Sequence, residues 1–227
     1  MKAYPSYSDS VSQWIGRIPT HWVKSKLKFH TSIISKGTTP TTIGRNIEHE
    51  GAVRFIKGEN IHESRLKFQS EYFIDCETPQ ILQRSQLQNN DILFVIAGTI
   101  GKLCIISDEY LPANTSQAIS FIRLKDGQKH KYFLYQLDSQ NVKNQFDILV
   151  VQTAQPNLSM EDLANLELTY PPLQEQKQIV SFLDSKTQKI DKLIALTEQN
   201  IELLKEQRTS LINQCVTKGL NPNVEMK

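Results

Sequence analysis

Residues 173–218 read LQEQKQIVSFLDSKTQKIDKLIALTEQNIELLKEQRTSLINQCVTK, and this stretch decides how the chain is organised. From Gln176, the positions 180, 183, 187, 190, 194, 197, 201, 204, 208, 211 and 215 follow one another at alternating spacings of four and three. Eight of those twelve positions are apolar: Val180, Leu183, Ile190, Ile194, Ile201, Leu204, Leu211 and Cys215. That spacing, held for more than five heptads, is a coiled-coil seam. No Gly or Pro interrupts it. Pro171-Pro172 precedes the start, and Gly219 and Pro222 follow the end, which are helix start and stop signals. A helix of about 43 residues would be roughly 64 Å long at 1.5 Å per residue. The flank of a 170-residue domain needs nothing of that length, so the spacing predicts a strut. With Ile190 at position d, Phe182, Leu196 and Leu203 fall at c, and Ile179 and Leu193 at g. This widens the apolar face beyond a two-stranded seam. Either the chain's own globule or a second protein covers the extra stripe.

Upstream of Pro171 the pattern changes every ten to fifteen residues. Val53–Lys57, Asp91–Ile96, Lys102–Ile106 and Ala118–Leu124 are β-branched and aromatic runs of strand length. Gly98 and Gly101 between the second and third predict a hairpin. Phe133, Leu134, Leu137 and Val142 predict one amphipathic helix over 131–146. Ser159-Met-Glu-Asp162 has the form of a capping box opening a helix through Leu166. The expectation is an α+β fold: a mixed domain over 1–172, the long helix over 173–218, and a short tail over 219–227.

Composition narrows the function. The 227 residues are 39% hydrophobic and 22% charged, as in a soluble globular protein. No apolar run approaches the roughly 18 residues of a membrane span, and the first ten residues lack an apolar signal core. Cys76, Cys104 and Cys215 are too scattered for a disulfide framework or a cysteine zinc site, which points to a reducing, cytoplasmic setting. The net charge of +2 hides an asymmetry. Residues 17–67 hold ten Lys/Arg against four Asp/Glu, whereas 68–173 hold seven against twelve.

The catalytic census is empty. The five histidines show no HxxxH or HExxH spacing, so no metal site is expected. Gly98-Thr-Ile-Gly-Lys102 has two residues between its glycines where a phosphate-binding loop has four. Glu175-Gln-Lys177 has the ExK form found in nucleases, but it sits in a first helical turn, where a carboxylate suits the helix dipole. No GxSxG, no GxGxxG after a strand, and no Asn-Pro-Pro-Tyr/Phe stretch occurs. The chain reads as a binder rather than a catalyst. Its donors to phosphates and base edges would be Lys36, Thr38, Thr39, Thr41, Thr42 and Arg45 in the loop KGTTPTTIGR, with Lys57, Thr99 and Lys102. Lys24, Lys26, Lys28 and Arg54 would add charge around that loop. Asn114, Ser116 and Gln117 in LPANTSQAIS, and Gln155 and Asn157 in TAQPNLS, would read bases, for which Asn and Gln suit adenine.

These pieces, in order, resemble the specificity subunit of type I restriction–modification systems. The likeness lies in DSVSQWIGRIPTHWVKSKLK, GTTPTT, FIKGENI, DILFVIAGTIGK and TAQPNLS, and most specifically in YPPLQEQKQIVSFLD leading into the long helix. The resemblance implies a target-recognition domain that reads one half of a split double-stranded DNA site, followed by a conserved helix. It implies a noncatalytic chain without cofactor. Methyltransferase subunits would bind S-adenosylmethionine and methylate adenine, and restriction subunits would join them. A full subunit has two such units, and this chain has one. The ending GLNPNVEMK resembles the linker after a first helix. A truncated subunit, one half of a split pair and a fragment all fit.

A lone helix with so apolar a seam would expose too much surface, and self-pairing across a two-fold axis is the simplest remedy. Val180, Leu183, Ile190, Ile194, Ile201, Leu204, Leu211 and Cys215 would form the homodimer or partner face. An antiparallel homodimer would then hold two identical domains a few tens of ångströms apart, comparable to the roughly 34–36 Å turn of B-DNA. Two other readings remain from sequence: a coiled-coil repressor without a methyltransferase, and a stand-alone nuclease using Glu175 and Lys177.

Overall fold

The computed structural model describes residues 4–151 and 157–220, without the side chains of residues 150 and 151. The chain divides into two units after Gln178.

The first unit is α+β. Strands β1 (Tyr7–Asp9) and β2 (Arg17–Pro19) form a hairpin ahead of β3 (Val23–Lys26) and β4 (Thr31–Lys36). Next come β5 (Val53–Ile56), the small hairpin of β6 (Ile61–His62) and β7 (Arg65–Leu66), then β8 (Phe73–Ile74) and the single turn α1 (Thr78–Ile81). Strands β9 (Ile92–Val95), β10 (Leu103–Ile105), β11 (Ala113–Thr115) and β12 (Ile119–Leu124) follow. Helices α2 (His130–Leu137), α3 (Gln140–Val151) and α4 (Met160–Asn165), then β13 (Glu167–Tyr170), complete the unit.

The main sheet has the order β10-β9-β12-β4, a second has β11-β5-β8, and β13 pairs with β3. Each apolar run of the sequence is a buried strand: every residue of β9 is buried, and so is all of β12 except Arg123. Ile56, Ile61, Leu93, Val95, Cys104, Ile106, Ile119 and Phe121 pack into one core at roughly 1.5–3 kcal/mol per large side chain. The β9–β10 turn is the expected hairpin, with Gly98 at φ +80° and Gly101 at +90°. A side chain at Gly101 would meet the Phe146 ring at 2.7 Å.

Of three local readings, two are refined and one forms as read. The helix expected over 131–146 is two helices, α2 and α3, parted at Asp138-Ser139. There Asp138 accepts from Lys143 Nζ at 2.7 Å, and Ser139 Oγ donates to the Gln136 carbonyl at 2.6 Å. Short polar side chains compete with the helical ladder in this way. The capping box at Ser159 forms as read: Ser159 Oγ accepts from Asp162 N at 3.0 Å, and the Asp162 carboxylate accepts from Ser159 N at 3.2 Å. The division between units falls six residues into the helix rather than at its start. The reason is that Gln176 is buried and donates to the Pro171 carbonyl at 3.0 Å, while Glu175 holds the N-terminal segment through Tyr4 and His21.

The second unit is the remainder of α5 (Leu173–Lys218), one uninterrupted helix. Gly219 closes it in the left-handed conformation at φ +74°, with its N–H on the Cys215 carbonyl.

Candidate nucleic-acid interface

The sheet register gathers the candidate loops at one edge. Strand β12 runs antiparallel to both β4 and β9, with Ser120 beside Lys36 and Ile119 beside Val95. The ends of β4 and β9 therefore meet the start of β12. Strand β11 runs parallel to β5, with Thr115 beside Ile56, so both end at the same place. Backbone hydrogen bonds stitch the loops together. Gly37 N donates to Ile119 O at 3.0 Å, Thr38 N to Thr115 O at 3.1 Å and Ser116 N to Ile56 O at 3.0 Å. Ile96 N donates to Ala118 O at 2.8 Å and Leu158 N to Ile96 O at 2.9 Å, while Ala97 bridges Asn157. Sequence segments more than a hundred residues apart become one polar rim.

Gly37 is the pivot of that rim. A Cβ built there would lie 1.9 Å from the Thr115 carbonyl oxygen and 2.5 Å from that of Ser116. Only glycine lets the 36–45 loop lie flat on the end of β11. Gly37→Ala is expected to cost about 1–3 kcal/mol of stability by overpacking. Chemical denaturation measures it, and an unchanged midpoint would show that the loop does not sit there.

The individual candidates fare differently. Lys36, Thr41, Thr42, Thr99, Gln117 and Asn157 are exposed on the rim, and Thr38, Thr39, Lys57 and Lys102 are half-buried. Within the first loop, Pro40–Ile43 form a 3-10 turn ended by Gly44 in the left-handed conformation, and Thr42 Oγ1 donates to Thr39 O at 2.7 Å. Lys57 places its ammonium 3.2 Å from the centre of the Tyr72 ring, a cation–π seat that fixes it beside the rim.

Arg45 pairs with Glu77 at 2.9 Å and Asp75 at 3.5 Å in solvent-exposed bridges. Two readings are corrected. Asn114 is fully buried, its amide donating to Leu82 O and Ser85 Oγ at 3.3 and 3.1 Å, and Ser116 is also buried. The same LPANTSQ segment that exposes Gln117 buries Asn114, because β11 is a strand inside the fold rather than its mouth. Lys24, Lys26 and Lys28 do not surround the loop. They lie on or just after β3, where Lys24 meets Glu167, and Lys26 and Lys28 meet Asn165. This is the far end of β4, about six residues or roughly 20 Å away at 3.3 Å per residue. Gln155 lies outside the described residues.

Glu175 has a structural task. The Tyr4 hydroxyl donates to one carboxylate oxygen, and His21 Nε2 lies 2.9 Å from the other. Burial pushes this carboxyl up, but its hydrogen bonds with Tyr4 and His21 win and hold it below the usual carboxylate range. An acid so engaged is not placed to pair with Lys177 around a metal. Among the described residues, no group of three or more His, Cys, Asp or Glu side chains could hold one.

Along α5 the seam lies open. Ile190, Ile194, Ile201, Leu204 and Leu211 are 46–63% exposed, and the second stripe of Leu193, Leu196 and Leu203 is equally bare. Val180, Leu183 and Cys215 are half-buried. No helix among the described residues is long and apolar enough to cross a membrane.

Known proteins share this arrangement. The family model described as the type I restriction modification DNA specificity domain matches residues 19–206. The chain is 26% identical over 214 residues to the putative type I restriction enzyme MjaX specificity subunit of Methanocaldococcus jannaschii, across 91% of this chain and 48% of that protein. It is 26% identical over 213 residues to the MjaVIII specificity subunit of the same organism, across 89% and 47%. The chain thus spans about half the length of these curated relatives. Among solved structures, a chain from a type I restriction–modification assembly superposes with a TM-score of 0.74 at 18% identity, covering 92% of this chain and 49% of that one. The HsdS subunit of Thermoanaerobacter tengcongensis gives 0.63 at 17%, covering 94% and 48%. The mixed domain and the long helix are therefore the fold of those subunits in half-length form, and the chain belongs to the type I restriction–modification DNA-specificity family.

Proposed function

We propose that this chain reads one half of a two-part double-stranded DNA site through the rim formed by the 36–45, 96–102, 115–118 and 157–158 segments. Two copies join through the seam of α5, so that the full site is a split palindrome. The observation that carries this reading is the convergence of the polar loops on one sheet edge in a chain that also bears a long, bare apolar helix. Lys36, Lys57 and Lys102 neutralise phosphates, while Thr38, Thr39, Thr41, Thr42, Thr99, Gln117 and Asn157 offer donors and acceptors to the groove. The chain works without a cofactor of its own and in the cytoplasm. Methyltransferase subunits dock on it, bring S-adenosylmethionine and methylate adenine, and restriction subunits add to that complex.

Co-expression of the chain with its neighbouring methyltransferase gene in an unmethylated host, followed by long-read mapping of N6-methyladenine, tests this. The expected result is methylation at a motif with two inverted, identical halves around a fixed spacer. Methylation at an asymmetric motif, or none at all, would overturn the two-copy reading.

A further inference from the structure

We propose that Tyr72 is a positioning residue for DNA binding: its ring holds the Lys57 ammonium in place to meet a backbone phosphate at the rim. This rests on the DNA-reading proposal above and adds to it a residue that lies outside the polar loops. The Lys57 ammonium is 3.2 Å from the centre of the Tyr72 ring, a close cation–π contact. Lys28 and Lys186 also approach rings, but at 5.7 and 5.6 Å, near the outer limit of such contacts.

The backbone is built to bring the two side chains together. Phe55 N donates to Tyr72 O at 2.7 Å, and Arg54 stands beside Phe73 in the β5–β8 register, so Tyr72 runs along the end of β5. Strand β5 continues directly into Lys57, and the Ile56 carbonyl accepts from Ser116 N at 3.0 Å, which sets Lys57 next to the rim. Asn60, only 2% exposed, braces both segments. Its Oδ1 accepts from Lys57 N at 2.9 Å, and its Nδ2 donates to Ser70 O at 3.1 Å, two residues before Tyr72. The ring is held at its hydroxyl end as well. A hydrogen bond with Glu59, and then burial, raise the phenol from its ordinary value and keep it neutral.

Arg54, three residues earlier, shows the contrast. Its guanidinium is engaged by Glu71 at 2.6 Å and lies 5.2–5.9 Å from the rings of Phe68, Phe73 and Tyr110. The partner of Lys57 is a neutral ring, which orders the side chain without cancelling its charge. An ammonium seated on a ring still has N–H donors directed away from it, so ring and phosphate take different sides. A free lysine loses rotamer freedom when it binds a phosphate. A seated one has lost it beforehand, and the difference appears as affinity.

The test measures binding of the full chain to two unrelated mixed-sequence duplexes by fluorescence anisotropy, between about 50 and 200 mM salt. Lys57→Met is expected to weaken both equally and to lower the salt slope by about one. Tyr72→Leu is expected to weaken both about fivefold, as the loss of a cation–π contact does. Tyr72→Phe, which returns the ring, is expected to recover most of that loss. In the Lys57→Met background, Tyr72→Leu is expected to weaken binding no further, because nothing is left to position. Tyr72 also packs against Val53, Phe55 and Ile74, so Tyr72→Leu lowers stability in both backgrounds alike and the cycle cancels that effect. A full additional loss in the Lys57→Met background overturns the inference, and so does a Tyr72→Leu chain that binds like the wild type. A chain that binds neither duplex overturns the DNA reading itself.

Discussion

Asp91→Asn is expected to lower the unfolding free energy of the globular unit by about 3–5 kcal/mol. Asp91 is wholly buried at the mouth of β9. One oxygen accepts from Arg123 Nε at 2.8 Å, the other from Arg123 Nη2 at 2.7 Å, and the second also accepts from Gln88 N at 2.8 Å. The fork is bidentate and mostly shielded, since Arg123 exposes only 21% of its side chain. Asparagine keeps the shape but removes the charge. It leaves a guanidinium stranded 5.7 Å from the Phe121 ring with no carboxylate to meet it. Breaking one half of such a pair costs more than the pair contributes, so Asp91→Asn with Arg123→Met should recover much of the loss. Urea unfolding measures both variants. A loss under about 1 kcal/mol would mean that water already reaches the pair.

That ion pair also marks where sequence reading stops. DILFVI declares a buried strand by its run of apolar residues, and β9 lies where the run places it. Nothing in the run says that its leading aspartate reaches Arg123, 32 residues away on β12. The same boundary divides the candidate site. Gly98 and Gly101 announce a hairpin because positive φ is a local demand, and the capping box at Ser159 is local too. Which loops share an edge is set by strand pairing. The parallel pairing of β11 with β5 buries Asn114 and leaves Gln117 outside, a distinction of three residues that composition does not carry. The lysines at 24, 26 and 28 look adjacent to the 36–45 loop because they are near in sequence, and β4 carries the chain away from them. Tyr72, under Lys57, gave no spacing by which to find it. The long helix was legible end to end because its pattern is purely local and repeats.

Ile201→Asp with Leu204→Asp is expected to abolish self-association and, with it, methylation directed by the chain. The two residues are 46% and 63% exposed in the single chain and lie on the seam through which the two copies would join. Fully burying a large aliphatic side chain is worth roughly 1.5–3 kcal/mol, and about half of that surface is still open here, so four such residues around a two-fold contribute about 3–6 kcal/mol. Removing even the lower figure weakens association by about a hundredfold, at about 1.4 kcal/mol per factor of ten. The carboxylates add repulsion across the axis. Sedimentation equilibrium reads the loss of the dimer, and the urea midpoint of the globular unit is expected to stay put, because its core is built from residues upstream of Gln178. A double variant that remains dimeric would place the contact elsewhere on the chain. One that loses the globule's unfolding transition would make the helix part of that fold rather than a joint between copies.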